Sequence, residues 1–542
     1  MPNKKILLIE PGYKNKYPPL GLMKLAQYHG PHGKRDHVKF IKGEDKSVLG
    51  TAWDRIYVTT LFSFEYQRIE RSIDFALTVA NGQANKVFVG GIAASLMNER
   101  FKGVSKWHGI RFIKGLLTAP PAKSLHLDDF SEELYSDDQL GQAIEDMVPD
   151  YGILDQIDFK YAVRDAYFAY TSRGCIRKCG FCGVPKLEGM QRDTDSLTAL
   201  VKAIDQRYGP KKDLILMDNN VVASSRFREI IAEIRDLGFV PGAKIRRSYE
   251  RVPVQRRVDF NQGVDARILC KDEMYLRELA TICIKPLRIA FDHLGLREPY
   301  EKAIRYAHRF GLHELSNYML YNFHDSPEDL FERMRLNVTL NEELGIRIWS
   351  FPMRFQPTDL PDRSHVGKKW TRYQLRAMQL ILQATHGVVS GAPDYFKRAF
   401  GDTAADFERI LMLPQDFIFN RDWFEFQGGR GEFDEFNSVY RKLTAEDKTE
   451  LLTLLSSRDP SEWVELPSKA LSSTVKAVLP FYVLRPKDEM GRIWKMQKHL
   501  PSDAEVSDEE RVEDAGLQIE EAEETVTPPP RVREPSRRRA VA

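Results

Sequence analysis

Three cysteines, Cys175, Cys179 and Cys182, fall within eight positions of a 542-residue chain that has only five cysteines. They stand in the run Tyr170-Thr-Ser-Arg-Gly-Cys-Ile-Arg-Lys-Cys-Gly-Phe-Cys182. Thiolates are soft ligands suited to zinc or iron. A structural zinc site takes four protein ligands, and so do the four-cysteine iron–sulfur patterns. Three thiolates this close can instead hold three irons of a cubane cluster and leave the fourth iron open to a small molecule. Gly174, Gly180 and Gly183 let such a loop wrap closely. Arg173, Arg177 and Lys178 offer charge to offset the thiolates, or a solvated surface. A structural zinc or redox site would have to recruit Cys270 or Cys283, each in a core-like context.

The elements that must position this loop alternate between strand and helix. Lys5 to Ile9, Arg55 to Thr60 and Lys86 to Val89 are short apolar strands, with a helical pattern at Gln67 to Ala80. Strands alternating with helices predict a parallel sheet covered on both faces. This first domain spans about residues 1–125 and could take a nucleotide-like ligand at its strand ends; Gly90-Gly91 reads equally as a turn. Residues 126–165 read as a connecting segment. A second series begins near Tyr167, with strands at Tyr167–Ser172, Leu214–Met217, Val258–Asn261, Leu287–Phe291, Leu315–Tyr321 and Ile346–Phe351. Helices at Thr194–Arg207, Ser225–Leu237 and Pro327–Leu344 separate them. Roughly six βα units predict a partial (β/α)6 barrel over 166–365, with its chemistry at the carboxyl ends of the strands. The cysteine run follows the first of those strands. Residues 366–500 read as a mainly helical domain, with helices at Tyr373–Thr385 and Ala404–Leu413 and an aromatic, glycine-containing turn at Trp423–Gly431. Residues 501–542, an acidic stretch followed by prolines and arginines, read as a disordered charged tail. The fold class is therefore α/β.

Composition narrows the function classes. Apolar residues make up 42% and charged residues 29%, with a formal net charge of +2. That balance gives no global pull toward nucleic acid or an anionic membrane. No apolar run approaches the length of a membrane span. The opening Met1–Glu10 reads as a strand, because its apolar run is too short for a signal sequence. An odd, clustered set of cysteines argues against a disulfide framework and for a reducing, cytoplasmic setting. The local run Lys244-Ile-Arg-Arg-Ser-Tyr-Glu-Arg-Val-Pro-Val-Gln-Arg-Arg257 could track a phosphate backbone or form a solvated face.

The spacing of Cys175, Cys179 and Cys182, with Phe181 before the last, resembles the cluster motif of the radical S-adenosylmethionine superfamily. Pro18-Pro19-Leu20-Gly21 and Phe260-Asn-Gln-Gly-Val-Asp-Ala-Arg267 resemble members with an N-terminal cobalamin-binding-like domain, so the likeness covers about residues 1–360. The Asp-x-His-x-x-Gly signature of that domain is absent: Asp36-His37 are adjacent, and His29 and His32 lack its neighbours. The resemblance implies a degenerate first domain, with cobalamin weakly supported.

It also implies a [4Fe–4S] cluster on the three cysteines. S-adenosylmethionine would chelate the open iron and be cleaved reductively to a 5'-deoxyadenosyl radical that abstracts hydrogen from an unidentified substrate. An electron donor such as flavodoxin or ferredoxin would supply the electron. In this reading Phe181 and Gly183 flank the cofactor, and Asp218 or Asn220 holds the methionine amino group. Gln262, Asp265 and Arg267 follow the third strand, and Arg267 could fork onto the methionine carboxylate. Asp292 and His293 follow the fourth strand, and Asn322 and His324 the fifth; His293 could move a proton. Tyr321 could give up a hydrogen atom or simply pack, and Arg354 could pin a ribose or an acidic substrate. The alternatives are modification of a nucleoside or nucleic acid, cobalamin-dependent radical methyl transfer, and a non-catalytic iron–sulfur protein.

Overall fold

A computed structural model describes residues 3–118, 143–194, 196–246, 252–385, 387–389 and 391–496. The chain divides into two compact units, Met1–Leu375 with Val389–Ile410, and Arg376–Val388 with Leu411–Ala542. The charged tail assigned to 501–542 and residues 126–142 of the segment at 126–165 lie outside the described residues.

The first unit opens with a five-stranded sheet. Its strands are β1 (Lys5–Glu10), β2 (His37–Lys42), β3 (Arg55–Thr60), β4 (Val87–Gly91) and β5 (Arg111–Phe112). They run in the order β2-β1-β3-β4-β5, and every pairing is parallel. Ile6, Leu7, Leu8 and Ile9 are fully buried. A strand covered on both faces needs such an unbroken apolar run. Helix Tyr66–Val79 presents Ile69, Ile73 and Ala76 to the sheet at helical spacing. Burying each large aliphatic or aromatic side chain contributes about 1.5–3 kcal/mol. β2 escapes sequence reading because His-Val-Lys-Phe-Ile-Lys alternates charge with apolar residues, as an edge strand does.

The barrel follows. β6 (Ala166–Ala169) leads into β7 (Ser172–Arg173), which pairs antiparallel with β8 (Arg192–Asp193). Next come β9 (Asp213–Leu216), the short antiparallel ribbon β10 (Lys244–Ile245) and β11 (Val254–Gln255), then β12 (Val258–Phe260), β13 (Leu287–Arg288), β14 (Glu314–Tyr321) and β15 (Arg347–Arg354). β6, β9 and β12 are parallel neighbours, as are β13, β14 and β15. Parallel bridges Val258–Ile284 and Val264–Ile289 join the two runs. Six parallel strands thus stand side by side in chain order, and β6 and β15 are not hydrogen-bonded to each other among the described residues. This is the partial (β/α)6 barrel expected, with helices Leu197–Tyr208, Phe227–Asp236, Arg297–Arg309 and Pro327–Leu344 in the crossovers. Helix Pro327–Leu344 begins where predicted because Ser326 caps it, its hydroxyl accepting the Asp329 N–H at 3.3 Å, with proline at the first turn. Helices Pro393–Phe400 and Ala404–Ile410 pack on its outer side, where Phe331 meets Phe396 and Phe407 at 5.5 and 5.8 Å between ring centres.

The carboxyl ends of the sheet and of the barrel face each other. Tyr17, after β1, reaches Asn261, after β12. Leu96, in the helix after β4, lies against Gly183, and the Arg363 guanidinium, beyond β15, sits 4.0 Å from the Phe64 ring centre, beyond β3.

The second unit is helical, with Gln415–Phe419, Arg421–Phe426, Arg430–Tyr440, Ala445–Ser457 and Ser473–Val478 among its elements. Phe417 contacts Phe424, Phe433 and Phe436 in its core. The segment expected as one turn at Trp423–Gly431 is mostly helical. Only Gln427–Gly429 breaks two helices; Phe424 is buried in the core, whereas Phe426 is exposed.

Candidate active site at the barrel mouth

The loop carrying Cys175, Cys179 and Cys182 leaves β7 at the carboxyl end of the barrel, and all three residues are half-buried. Gly174 makes the turn possible. It has φ +78°, and a Cβ there would lie 2.4 Å from the Met190 carbonyl oxygen. The Cys175 N–H then donates to the Gly189 carbonyl at 3.2 Å, and the Cys182 N–H to the Cys179 carbonyl at 3.1 Å. Two further backbone groups point at sulfur: the Arg177 N–H at Cys175 Sγ and the Val184 N–H at Cys182 Sγ, each at 3.4 Å. Such donors stabilise thiolate charge and tune a bound cluster. Phe181 packs edge-on against Phe323 at 5.7 Å, covering one side of the loop. Gly183 lies close to the loop's neighbours: a Cβ there would approach the Leu96 side chain to 3.1 Å, so Leu96 would have to give way.

Asp218 fastens this loop from beneath. It is buried, and its carboxylate accepts the Thr171 N–H at 2.9 Å, the Thr171 hydroxyl at 2.7 Å, the Ser172 N–H and the Ser172 hydroxyl at 2.8 Å. Burial nevertheless pushes its carboxyl upward, against those donors. A carboxylate that takes four groups of the loop anchors that loop in this structure. Asn220 is also buried, its side-chain oxygen accepting the Asp265 N–H at 3.3 Å. Arg173 is spent as well: it bridges Glu145 and Glu188 and lies over the Tyr170 ring at 3.5 Å, so it does not offset thiolate charge directly.

From the β12 side come Asp265 and Arg267. Asp265 caps the short helix Ala266–Leu269 and accepts Arg267 Nε at 2.8 Å and Arg177 Nε at 2.7 Å. Those two guanidinium groups hold its carboxyl below the usual aspartate range despite its burial. Two cations sharing one carboxylate leave a net positive charge beside the thiols. Gln262 is exposed.

From β13 comes Asp292. Its side chain is half-buried and accepts no hydrogen bond among the described residues, while burial pushes its carboxyl up to about 6, with Arg333 and Arg267 pulling the other way. The same carboxylate raises the Cys179 thiol, after the larger effect of burial, so it lies within electrostatic reach of the cysteine loop. His293 points outward and is exposed. Burial and the nearby Arg267 and Arg333 lower its pKa.

The remaining sequence candidates sit in structural positions. Asn322 is fully buried with φ +70°, and its amide bridges the Phe355 and His365 carbonyls at 3.2 Å and the Gly367 N–H at 2.7 Å. Arg354 donates to the carbonyls of Arg363 and His365 at 2.9 and 3.2 Å, pinning the loop after β15. Tyr321 is buried with its ring 5.4 Å from Trp370, the packing alternative already weighed.

No protein-family model matches the chain. A curated relative, an uncharacterized methyltransferase of Synechocystis sp., is 23% identical over 309 residues, covering 55% of this chain and 51% of that protein. The chain therefore spans about half the length of the curated relative it matches. A solved structure of apo, selenomethionine-labelled OxsB, a cobalamin-dependent S-adenosylmethionine radical enzyme, superposes with a TM-score of 0.45 at 12% identity, over 97% of this chain and 84% of that one. Neither likeness assigns a reaction.

Residues that sequence reading missed set the site's shape. Arg333 is fully buried and donates to the Phe291 and Asp292 carbonyls at 3.2 Å and the Leu320 carbonyl at 2.8 Å, while pairing with Asp325 and Asp329. It thereby fixes the ends of β13 and β14, and with them Asp292. Its one sequence signal is an arginine on the apolar face formed by Leu330, Phe331 and Met334. At the first sheet, the crevice between the ends of β1 and β3 is where ligands bind in this strand order. Here Tyr13 and Phe62 stand edge-to-face at 5.5 Å beside it, and the Tyr13 hydroxyl accepts the Leu61 N–H at 3.4 Å.

Three thiols on one loop, two of them facing backbone N–H donors, are a donor set chemically suited to an iron–sulfur cluster. Among the described residues, no three His, Cys, Asp or Glu side chains are arranged to hold one metal ion. Cys283 stands apart from the loop: its carbonyl accepts the Val258 N–H at 2.9 Å at the start of β12, the end of the barrel opposite the cysteine loop. Cys270 Sγ donates locally to the Arg267 carbonyl.

Proposed function

We propose that this chain is a radical S-adenosylmethionine enzyme. The observation that carries the reading is the cysteine loop, held at the carboxyl mouth of a six-stranded parallel barrel with backbone N–H groups on two of its sulfurs. Cys175, Cys179 and Cys182 would hold a [4Fe–4S] cluster, which when bound supplies the single electron that sulfonium cleavage requires. The chain's own groups bind and orient. Arg267 and Arg177, sharing Asp265, give a positive wall suited to the methionine carboxylate. Asp292, with no hydrogen-bond partner among the described residues, faces the same space as an acceptor. Phe181 and Phe323 shield the loop from water on one side. The substrate loses a hydrogen atom from carbon, and a low-potential one-electron donor such as flavodoxin or ferredoxin completes the cycle.

Anaerobic reconstitution tests this. The chain should bind about four irons and four sulfides per protein, show a paramagnetic signal that changes when S-adenosylmethionine is added, and yield 5'-deoxyadenosine on reduction. A signal indifferent to S-adenosylmethionine, with no 5'-deoxyadenosine, would overturn it.

Methyl transfer is the second reading, favoured by the name of the curated relative. Transfer of labelled methyl from S-adenosylmethionine to an acceptor, with and without added cobalamin, distinguishes it. The crowding of the β1/β3 crevice by Tyr13 and Phe62 weighs against a bound corrinoid. Nucleic acid loses its motive at this site. The described part of the basic run forms β10 and β11, which precede β12 and so stand at the opposite end of the barrel. There Arg256 lies 3.6 Å over the Phe239 ring and donates to the Lys211, Lys212 and Leu237 carbonyls. Residues 247–251 of that run lie outside the described residues. No described helix is long and apolar enough to cross a membrane.

A further inference from the structure

The loop between β1 and helix Leu20–His29 does more than connect them. Glu10, the last residue of β1, is buried and accepts Lys42 Nζ at 2.8 Å and Asn15 Nδ2 at 2.9 Å. Lys42 Nζ, at the end of β2, also donates to Asn15 Oδ1 at 2.7 Å. Asn15 is thereby locked, and its second amide hydrogen goes to the Tyr17 carbonyl at 2.7 Å. Pro18 and Pro19 follow and stiffen the chain. Tyr17 is thus held at its backbone from one side and its ring is aimed at the barrel. There its hydroxyl donates to Asn261 Oδ1 at 2.6 Å, and its ring meets Phe168 of β6 edge-on at 6.2 Å.

Asn261 is the first residue past β12 and is buried. Its carbonyl accepts the Tyr318 hydroxyl from β14 at 3.4 Å. The chain then turns at Gly263, whose N–H donates to the Phe260 carbonyl at 2.8 Å, and delivers Asp265 and Arg267 four and six residues after Asn261. The Asp265 N–H is fixed by Asn220 and the Val264 N–H by the Arg288 carbonyl at 2.9 Å. The start of the turn has one side-chain tether from outside the barrel among the described contacts, and that tether is the Tyr17 hydroxyl. Simple packing between sheet and barrel would be served by a phenylalanine. The hydroxyl adds a directed bond to a side chain at a strand end, in the segment that carries the positive wall of the site.

We propose that Tyr17 is a positioning residue: through Asn261 it ties the ends of β1 and β2 to the 261–267 turn and sets where Arg267 and Asp265 stand relative to the cysteine loop. This rests on the radical S-adenosylmethionine reading for its ligand, but not for its geometry. Any change at the ends of β1 and β2 that moves Glu10 or Lys42 is transmitted along the same chain, Asn15 to Tyr17 to Asn261.

The test is a double-variant cycle with Tyr17→Phe, Asn261→Ala and the pair, each as the full chain. Two quantities are read. The first is amide hydrogen exchange of the segment 258–267 in protein without cluster. The second is the affinity for S-adenosylmethionine in reconstituted protein, followed by its effect on the paramagnetic signal. Tyr17→Phe keeps the ring and should leave iron and sulfide content unchanged, while exchange in 261–267 rises about ten-fold and affinity falls about ten-fold, the size expected for one buried hydrogen bond. Adding Asn261→Ala to Tyr17→Phe should cost less than Asn261→Ala alone costs in the wild type, because the shared bond is lost only once, while the Asn261 Nδ2 contact with Met217 Sδ is lost in both backgrounds. Unchanged exchange in Tyr17→Phe would overturn the proposal, and so would effects that multiply independently. Failure of the wild-type chain to respond to S-adenosylmethionine would instead overturn the assigned reaction and leave the exchange result to decide on Tyr17.

Discussion

Asp218 offers the sharpest discrimination between a ligand contact and a structural anchor. One oxygen of its carboxylate takes four donors from Thr171 and Ser172, and the other shares the Thr171 N–H. Truncation in Asp218→Ala strands two buried backbone N–H groups, while the two hydroxyls can turn to other partners. Each stranded donor costs about 1–3 kcal/mol, so the turn that feeds the cysteine loop should lose about 2–6 kcal/mol of local stability. At about 1.4 kcal/mol per decade, amide exchange in the segment 170–194 should rise at least about thirty-fold. Asp218→Asn is the informative partner, because its carbonyl oxygen can occupy the crowded position and keep those donors. It loses only the charge-assisted part of each bond and sheds the burial penalty of a carboxylate, so loop exchange and iron content should stay near wild type. Hydrogen-exchange mass spectrometry, iron and sulfide analysis and an S-adenosylmethionine titration of both variants separate the two roles. If Asp218→Asn keeps its cluster yet no longer responds to S-adenosylmethionine, the carboxylate touches the ligand and the anchor assignment is wrong.

Three further outcomes follow from neighbouring geometry. Gly174→Ala forces a side chain into a positive-φ position 2.4 Å from the Met190 carbonyl, so iron incorporation should collapse while far-ultraviolet circular dichroism of the apo-protein stays unchanged. Asp292→Asn keeps the shape but removes an acceptor facing the thiols. 5'-Deoxyadenosine formation should fall at least about ten-fold, which is about 1.4 kcal/mol, with iron content unaltered; equal turnover would remove Asp292 from the site. In the second unit, burial raises Asp416 to about 6 although it accepts the Arg485 N–H at 3.1 Å. The folded form therefore binds more protons than the unfolded chain between about pH 4 and 6. Stability should fall as pH rises through that window, by at most about 3 kcal/mol, and level off above it. Asp416→Asn should flatten that dependence and raise the denaturation midpoint at pH 7.5.

What sequence reading could and could not reach divides along physical lines. The barrel strands were legible because they are mostly buried, rich in apolar residues and flanked by helical periodicity, although polar residues such as Ser316, Asn317 and Ser350 interrupt them. Leu214–Met217 and Leu315–Tyr321 are read within a residue or two of the observed elements. β2 was not legible, because an edge strand with lysines satisfies the same backbone geometry with an ordinary surface pattern. The cysteines declared themselves because their chemistry is carried by spacing within one loop. Asp218, Asn322 and Arg354 share the residue types and strand-end placement of ligand contacts, and each hydrogen-bonds groups of a neighbouring loop, two hydroxyls among them at Asp218. Placement at a strand end is a matter of register, which sequence conveys. Where the polar atoms point depends on which distant backbone donors and carbonyls lack partners, and that is settled only when the loops meet. Arg333 and Tyr17 make the same case in reverse: one sits on an apolar helix face and the other in a connecting loop, and each fixes a strand end whose residues had drawn notice alone. A strand-end carboxylate is therefore better judged by its unused hydrogen-bonding capacity than by its position, and by that measure Asp292 rather than Asp218 is the carboxylate with acceptor capacity left among the described residues.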